Sequence, residues 1–128
     1  MKKLFSILFF LAVAQVALFA QEQKKARWQE MYDYHEVMSV TFHSAEDGNL
    51  APLKDKSGEL LERAEAWKKS PVPPGYKPEV TADVLKRLVV QCKAVNKAVR
   101  KGKPDAELTA MITRTHDIFH EIMEKCRE

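Results

Sequence analysis

The amino-acid sequence predicts an all-α protein: an antiparallel up-down-up-down four-helix bundle that follows a cleaved signal peptide. Apolar residues recur at three- and four-residue steps in four separate segments of the 128-residue chain, which is the period of amphipathic helices. Glycine and proline separate these segments. The first and third connections are short, so consecutive helices are expected to run antiparallel. No segment has the alternating pattern of a β-strand.

Residues 1–20 have the pattern of a secretory signal peptide. Two lysines follow the initiator methionine, residues 4–13 are apolar, and the stretch ends at the small residue Ala20. We predict cleavage after Ala20, which leaves residues 21–128 as a single bundle domain. The apolar run is too short to be a confident membrane span. We therefore expect a periplasmic or secreted protein with no membrane attachment after cleavage.

The charge distribution argues against a nucleic-acid partner, and the motifs argue against an enzyme. The formal net charge of the whole chain is +3, and two of its lysines leave with the signal peptide. The remaining charges of both signs are interspersed, without the basic stripe that binds phosphates. No serine stands in a nucleophile-elbow motif. The Glu-x-x-His pattern of di-iron bundles is approached only by Asp117 and His120.

The first helix is predicted over residues 23–45 and the second over residues 52–69. Gly48 and Asn49 end the first, and Pro52 suits the opening turn of the second. The apolar stripe of the first helix contains a histidine. Its members are Trp28, Met31, His35, Met38, Phe42 and Ala45, and those of the second helix are Leu53, Leu60, Leu61, Ala64 and Trp67.

Residues 70–78 carry four prolines and a glycine, so they form a stiff crossover to the third helix. The third helix is predicted over residues 79–100 and the last over residues 105–126, with Asp105 as its N-cap. A cysteine lies near the centre of the third stripe. The two stripes are Val84, Leu85, Leu88, Cys92, Val95 and Val99, and Leu108, Ile112, Phe119, Ile122, Met123 and Cys126.

All four histidines lie on the first and last helices. His116 and His120 are four residues apart, so both rings project from one side of a helix and can reach one metal ion. If the end of the first helix is level with Asp105, His35 lies level with His116. The same pairing puts Met31 level with His120.

If the first and third helices start at the same height in the bundle, Cys92 lies beside His35. Imidazole and thiolate ligands suit zinc or copper, and a thioether favours copper(I). The sequence thus predicts a transition-metal site in which His35, His116 and His120 are ligands and Cys92 and Met31 complete the shell. Its role would be metal binding, buffering or delivery. A buried cysteine that packs as a small apolar residue and two surface histidines are the structural alternative.

The two cysteines are not expected to form a disulfide with each other. Their heights in the bundle differ by roughly 16 Å at 1.5 Å per residue, which is beyond the reach of a disulfide. Cys126 either stays free or pairs between two chains, which would give a homodimer. His43 is placed near Leu108, at a solvated helix end, with Glu46 on the same side. Asp117 and Glu121 are candidate hydrogen-bond acceptors for the metal-binding imidazoles.

Several short motifs resemble the cytochrome b562 family, within the cytochrome c′-like class of periplasmic four-helix bundles. They are Leu53-Lys54-Asp55 at the start of the second helix, Pro73-Pro74 in the crossover and Gly102-Lys103 in the last turn. The resemblance implies a four-helix bundle that holds a b-type heme and carries electrons. It implies Met31 and His120 as the axial ligands. A third class of function is a bundle without cofactor that acts as an interaction or chaperone-like module.

Overall fold

The computed structural model describes residues 27–128, which fold into four α-helices and contain no β-strand. The helices are α1 (Gln29–Glu46), α2 (Ala51–Lys69), α3 (Pro78–Arg100) and α4 (Asp105–Lys125). The predicted all-α class is therefore confirmed. The predicted signal peptide and the cleavage point after Ala20 lie outside the described residues.

Each helix packs against its neighbours in the chain, and α4 closes the ring by packing against α1. Within the described part of the chain, the backbones of the diagonal pairs α1–α3 and α2–α4 do not approach each other closely, and only side chains meet across the core. This arrangement is the predicted up-down-up-down bundle. Gly48 and Gly102 lie just after α1 and α3 with φ values of +82° and +67°, a conformation that glycine adopts without a steric cost. These two positions allow the short reversals.

The core is mainly apolar, with four buried serine and threonine side chains, and it is most aromatic near the crossover from α2 to α3. Trp67 is fully buried, and its ring lies 5.3 Å from that of Tyr34 and 6.0 Å from that of Phe119, between centroids. Trp28 packs edge-on against Trp67 at 5.6 Å and donates its Nε1 hydrogen to Ser70 Oγ at 2.7 Å. Large aromatic side chains contribute strongly to core stability. This cluster therefore fixes the geometry of α1 against α2 and α4.

The chain end docks onto the crossover. The backbone nitrogen of Lys77 donates to the carbonyl oxygen of Cys126 at 2.8 Å, and that of Glu128 donates to Gly75 at 3.0 Å. The Arg127 guanidinium lies over the ring of Tyr76, 5.8 Å from its centroid. These contacts hold the end of α4 in place beside the aromatic cluster.

Two local predictions on the helices were wrong. His35 is exposed, and the fully buried Tyr34 takes its expected place in the core stripe of α1. Asp105 does not cap α4, because it is the first residue of the helix and Pro104 holds the N-cap position without a side-chain cap. The carboxylate of Asp105 lies 2.8 Å from Lys54 Nζ. The ion pair places the start of α4 beside the first turn of α2.

No helix among residues 27–128 combines the length and the apolar character needed to cross a membrane.

Candidate metal-binding site at the seam between α1 and α4

The histidines lie along the seam where α1 and α4 close the ring of helices, here called the α1–α4 seam. Towards the crossover end, the seam opens into a groove of about 320 Å³. The groove is mostly apolar, and both helices contribute an imidazole and a methionine to it. Its lining residues are Met31, Tyr32, His35, Phe119, His120 and Met123.

His116 and His120 bring their Nε2 atoms to 3.2 Å from each other. Their rings meet edge to face, with centroids 4.4 Å apart and planes at 74°. Zinc–imidazole bonds of about 2.0–2.1 Å at a tetrahedral angle place two ligand nitrogens about 3.3 Å apart. The pair therefore already has the nitrogen separation of a two-histidine chelate. Without metal, one Nε2 donates a hydrogen bond to the other.

The ring of His116 is fixed by stacking on Phe42, with centroids 3.8 Å apart and planes at 11°. Burial lowers the pKa of His116, and the neighbouring His120 lowers it further. Smaller electrostatic effects come from Asp117 and Glu46, which raise this pKa, and from His43, which lowers it. A lowered pKa keeps the imidazole neutral near pH 7, the state that binds metals.

His120 is about half exposed and faces the groove. Its Nδ1 lies 3.8 Å from Oε1 of Glu124, one turn further along α4. A carboxylate on this side of the ring favours a proton on Nδ1 and leaves the lone pair on Nε2. Glu124 was not predicted to take part, although its four-residue spacing from His120 is visible in the sequence. Asp117 and Glu121 were proposed instead, and Glu121 binds Arg87 at 2.6 Å.

His35 and Met31 reach the seam on the groove side of His120. The ring of His35 stacks on Phe119 with centroids 5.3 Å apart. The hydroxyl of Tyr76 donates to the sulfur of Met31 at 3.7 Å. The structure therefore brings Met31, His35 and His120 to one groove. Met123 also lines this groove, and the sequence reasoning assigned it to the core stripe alone.

Cys92 lies in the core rather than at the seam. It is fully buried, and its sulfur is 3.8 Å from the hydroxyl oxygen of Tyr34. Burial raises the pKa of Cys92 to about 12, so the group is a thiol near pH 7 in metal-free protein. The expected layer of His35, Cys92 and His116 is not formed. The intervening residue is Tyr34, whose side chain fills the space between α1 and Cys92.

The register of α1 against α4 also differs from the prediction by about one helical turn. His116 stacks on Phe42, and His35 stacks on Phe119, the neighbour of His120. His120, and not His116, is therefore level with His35. In the same register, the start of α4 lies beyond the end of α1 and beside Lys54 of α2. His43 lies close enough to His116 for its charge to lower the pKa of that imidazole.

Among residues 27–128, no three side chains of His, Cys, Asp or Glu lie close enough together to form a complete metal site. The histidine pair is thus the part of the candidate site that the structure brings together. Cys92 and Cys126 are both free and buried, so no disulfide joins them, as predicted.

We compared the chain with protein-family models, with curated proteins and with solved structures, and none of the three comparisons gave a match. The resemblance to the cytochrome b562 family stays a prediction.

Proposed function

We propose that this protein is an exported four-helix bundle, periplasmic or secreted, that binds a zinc or copper ion at the α1–α4 seam. His116 and His120 are its two anchoring ligands, and side chains of α1 complete the coordination. The role is metal binding, buffering or delivery, without catalytic turnover. His35 and Met31 line the groove beside His120 and stay candidate ligands from α1.

One observation carries this proposal: the 3.2 Å separation of the two Nε2 atoms. It matches the spacing that a tetrahedral metal imposes, which is about 3.3 Å. Chelation by two rings on one helix costs little conformational entropy here, because the stack on Phe42 already orients His116. The exposed position of His120 lets the ion exchange with solvent or a partner, as buffering and delivery require.

The proposal is tested on the full-length protein after its metal has been removed with a chelator. Zinc and copper(II) are titrated at pH 7 against a chromophoric chelator of known affinity. We expect one ion per chain, and we expect His116→Ala and His120→Ala each to weaken binding by at least about tenfold, since a lost ligand should cost no less than a lost supporting residue.

Thr109→Ala is the control, because it lies on the same helix two turns away and keeps both imidazoles. Circular dichroism checks that every variant is folded. Wild-type protein that binds neither ion at micromolar concentration, or His116→Ala and His120→Ala variants that bind like wild type, would overturn the proposal.

A b-type heme is the second candidate, favoured by the position of Met31 and His120 on the same groove. A thioether and an imidazole from facing helices would supply the two axial ligands, and heme would give the protein one-electron chemistry. The groove of about 320 Å³ is at the lower end of the range for small-molecule sites, so α1 and α4 would have to separate to admit it. A Soret band in protein purified with its N-terminal segment intact, absent in His120→Ala and Met31→Ala, supports this alternative.

A further inference from the structure

His43 and Glu46 form a hydrogen-bonded pair at the C-terminal end of α1. Nδ1 of His43 lies 3.0 Å from Oε2 of Glu46. An ionised carboxylate only accepts hydrogen bonds, so the proton of the ring stays on Nδ1. The lone pair of the neutral imidazole is then on Nε2, on the far side of the ring from Glu46. This carboxylate–histidine arrangement is the one that supports metal ligands in many proteins.

The pair lies next to the His116 end of the histidine chelate. Phe42 stacks on His116 at 3.8 Å between centroids, and the ring of His43 lies 5.4 Å from that of Phe42. His43 and Glu46 are also among the groups whose charges act on His116. The side chain of His43 is 65% exposed, so a metal ion can reach its Nε2 while Nδ1 stays hydrogen-bonded to Glu46.

His35, the other histidine of α1, lacks this support. Its ring stacks on Phe119, and among residues 27–128 its ring nitrogens have no hydrogen-bond partner. A metal-ligating histidine almost always has its second ring nitrogen bound to a carboxylate, a carbonyl or water. His43 meets this condition within the protein and His35 does not. His43 is therefore the better third ligand, although the sequence reasoning preferred His35.

We infer that Nε2 of His43 is the third protein ligand of the site anchored by His116 and His120, and that Glu46 positions the ring of His43. This inference rests on the proposed function. Three imidazoles and no sulfur suit a divalent ion, zinc or copper(II), better than copper(I). The fourth coordination position of the ion would be open to water or to a ligand atom of a partner. Zinc sites with three protein ligands and one open position are known from catalytic zinc centres.

Zinc titration of His43→Ala and His35→Ala distinguishes which of the two histidines of α1 is the third ligand. We expect His43→Ala to weaken zinc binding at least about tenfold and His35→Ala to bind like wild type. Both histidines are exposed residues of α1, so the two variants are matched for the loss of an imidazole. Loss of affinity in His35→Ala, or wild-type affinity in His43→Ala, overturns the inference. Failure of the proposed function looks different, because His116→Ala and His120→Ala then bind like wild type.

The role of Glu46 is tested by Glu46→Gln in the full-length protein. We expect zinc affinity to fall by about 10- to 100-fold. The nitrogen-15 spectrum of His43 in metal-free protein should shift from the Nδ1-protonated tautomer towards a mixture. In wild type, zinc should shift the Nε2 resonance of His43. A His43 Nε2 resonance that zinc leaves unmoved, or an affinity unchanged in Glu46→Gln, contradicts this assignment.

Discussion

Two pairs of reactive side chains in this protein differ in what surrounds them. Tyr34 and Cys92 meet at 3.8 Å in the core, where both are fully buried. His116 and His120 meet at 3.2 Å on the α1–α4 seam, where one is half buried and the other exposed. Burial raises the pKa of both core groups and keeps their protons on. At the seam, burial instead lowers the pKa of His116 and favours its neutral form.

The comparison teaches that access and protonation decide which residue can bind a metal. Cys92 has the better ligand atom in chemical terms, because a thiolate binds zinc and copper tightly. Its pKa of about 12 keeps it a thiol near pH 7 in metal-free protein, and its side chain has no exposed surface. The histidines are weaker ligands whose lone pairs are available. The core pair therefore contributes to stability, and the seam pair is the one that a metal ion could reach.

The largest expected effect tests the core side of this comparison. Trp67→Ala should lower the free energy of unfolding by about 3–5 kcal/mol, because it removes a fully buried ring and leaves a cavity among Trp28, Tyr34 and Phe119. Denaturant titration measures it. Trp67→Phe, which keeps a ring, should lose clearly less, and His120→Ala should change the stability of metal-free protein by less than about 1 kcal/mol. If His120→Ala were as unstable as Trp67→Ala, the seam histidines would contribute to stability as much as the core does, contrary to the comparison above.

The next effect concerns pH and the Cys92 thiol. The ordinary pKa of a thiol is 9.0, and that of Cys92 in the folded protein is about 12. Between these pH values the folded state holds a proton that the unfolded state has released, so the free energy of unfolding should fall as pH rises. One such group contributes a slope of up to about 1.4 kcal/mol per pH unit. The free energy of unfolding of Cys92→Ala should fall less steeply with pH between these two values.

Val95→Ala is the control for that measurement, since it creates a small cavity on the same face of α3 without removing an ionisable group. It should lower stability and keep the wild-type slope. Equal slopes in wild type and Cys92→Ala would show that the thiol is accessible to water. Stability is measured by urea unfolding at several pH values from 9 to 12, the range set by the two pKa values of Cys92.

The smallest effect concerns an ion pair on the outside of the bundle. Arg87 on α3 donates to both oxygens of Glu121 on α4, at 3.3 and 2.6 Å, and both side chains are partly exposed. Because water and salt screen such pairs, Arg87→Ala should cost only about 0.2–1 kcal/mol at low ionic strength. Arg87→Lys should recover part of it. A loss that persists undiminished in concentrated salt would mean that the pair is more buried than its exposure indicates.

The sequence was sufficient to predict the bundle and most helix ends. The predicted segments 52–69, 79–100 and 105–126 differ from α2, α3 and α4 by one residue at most, because proline and glycine mark those boundaries. The burial of Cys92 also followed from the period of α3. These features depend on the spacing of nearby residues along the chain, which is visible in the sequence.

The arrangement at the seam could not be read in the same way. Whether Tyr34 or His35 enters the core depends on a rotation of α1 by one residue, and both positions fit a three- or four-residue step. The height of α4 against α1 depends on contacts between residues far apart in sequence, such as that of Asp105 with Lys54. His43 was consequently assigned to a solvent-exposed helix end, and its closeness to His116 appeared only in three dimensions.

The return of α4 to α1 has a consequence for how the chain could be held together. These are the outermost helices in chain order, so an ion shared by residues 43 and 116 would close a loop through most of the domain. A long closed loop restricts the denatured chain more than a short one, and any ligand that prefers the native state adds to its stability by mass action. Such an ion would act as a removable cross-link, so the unfolding temperature of the protein would depend on the concentration of available metal.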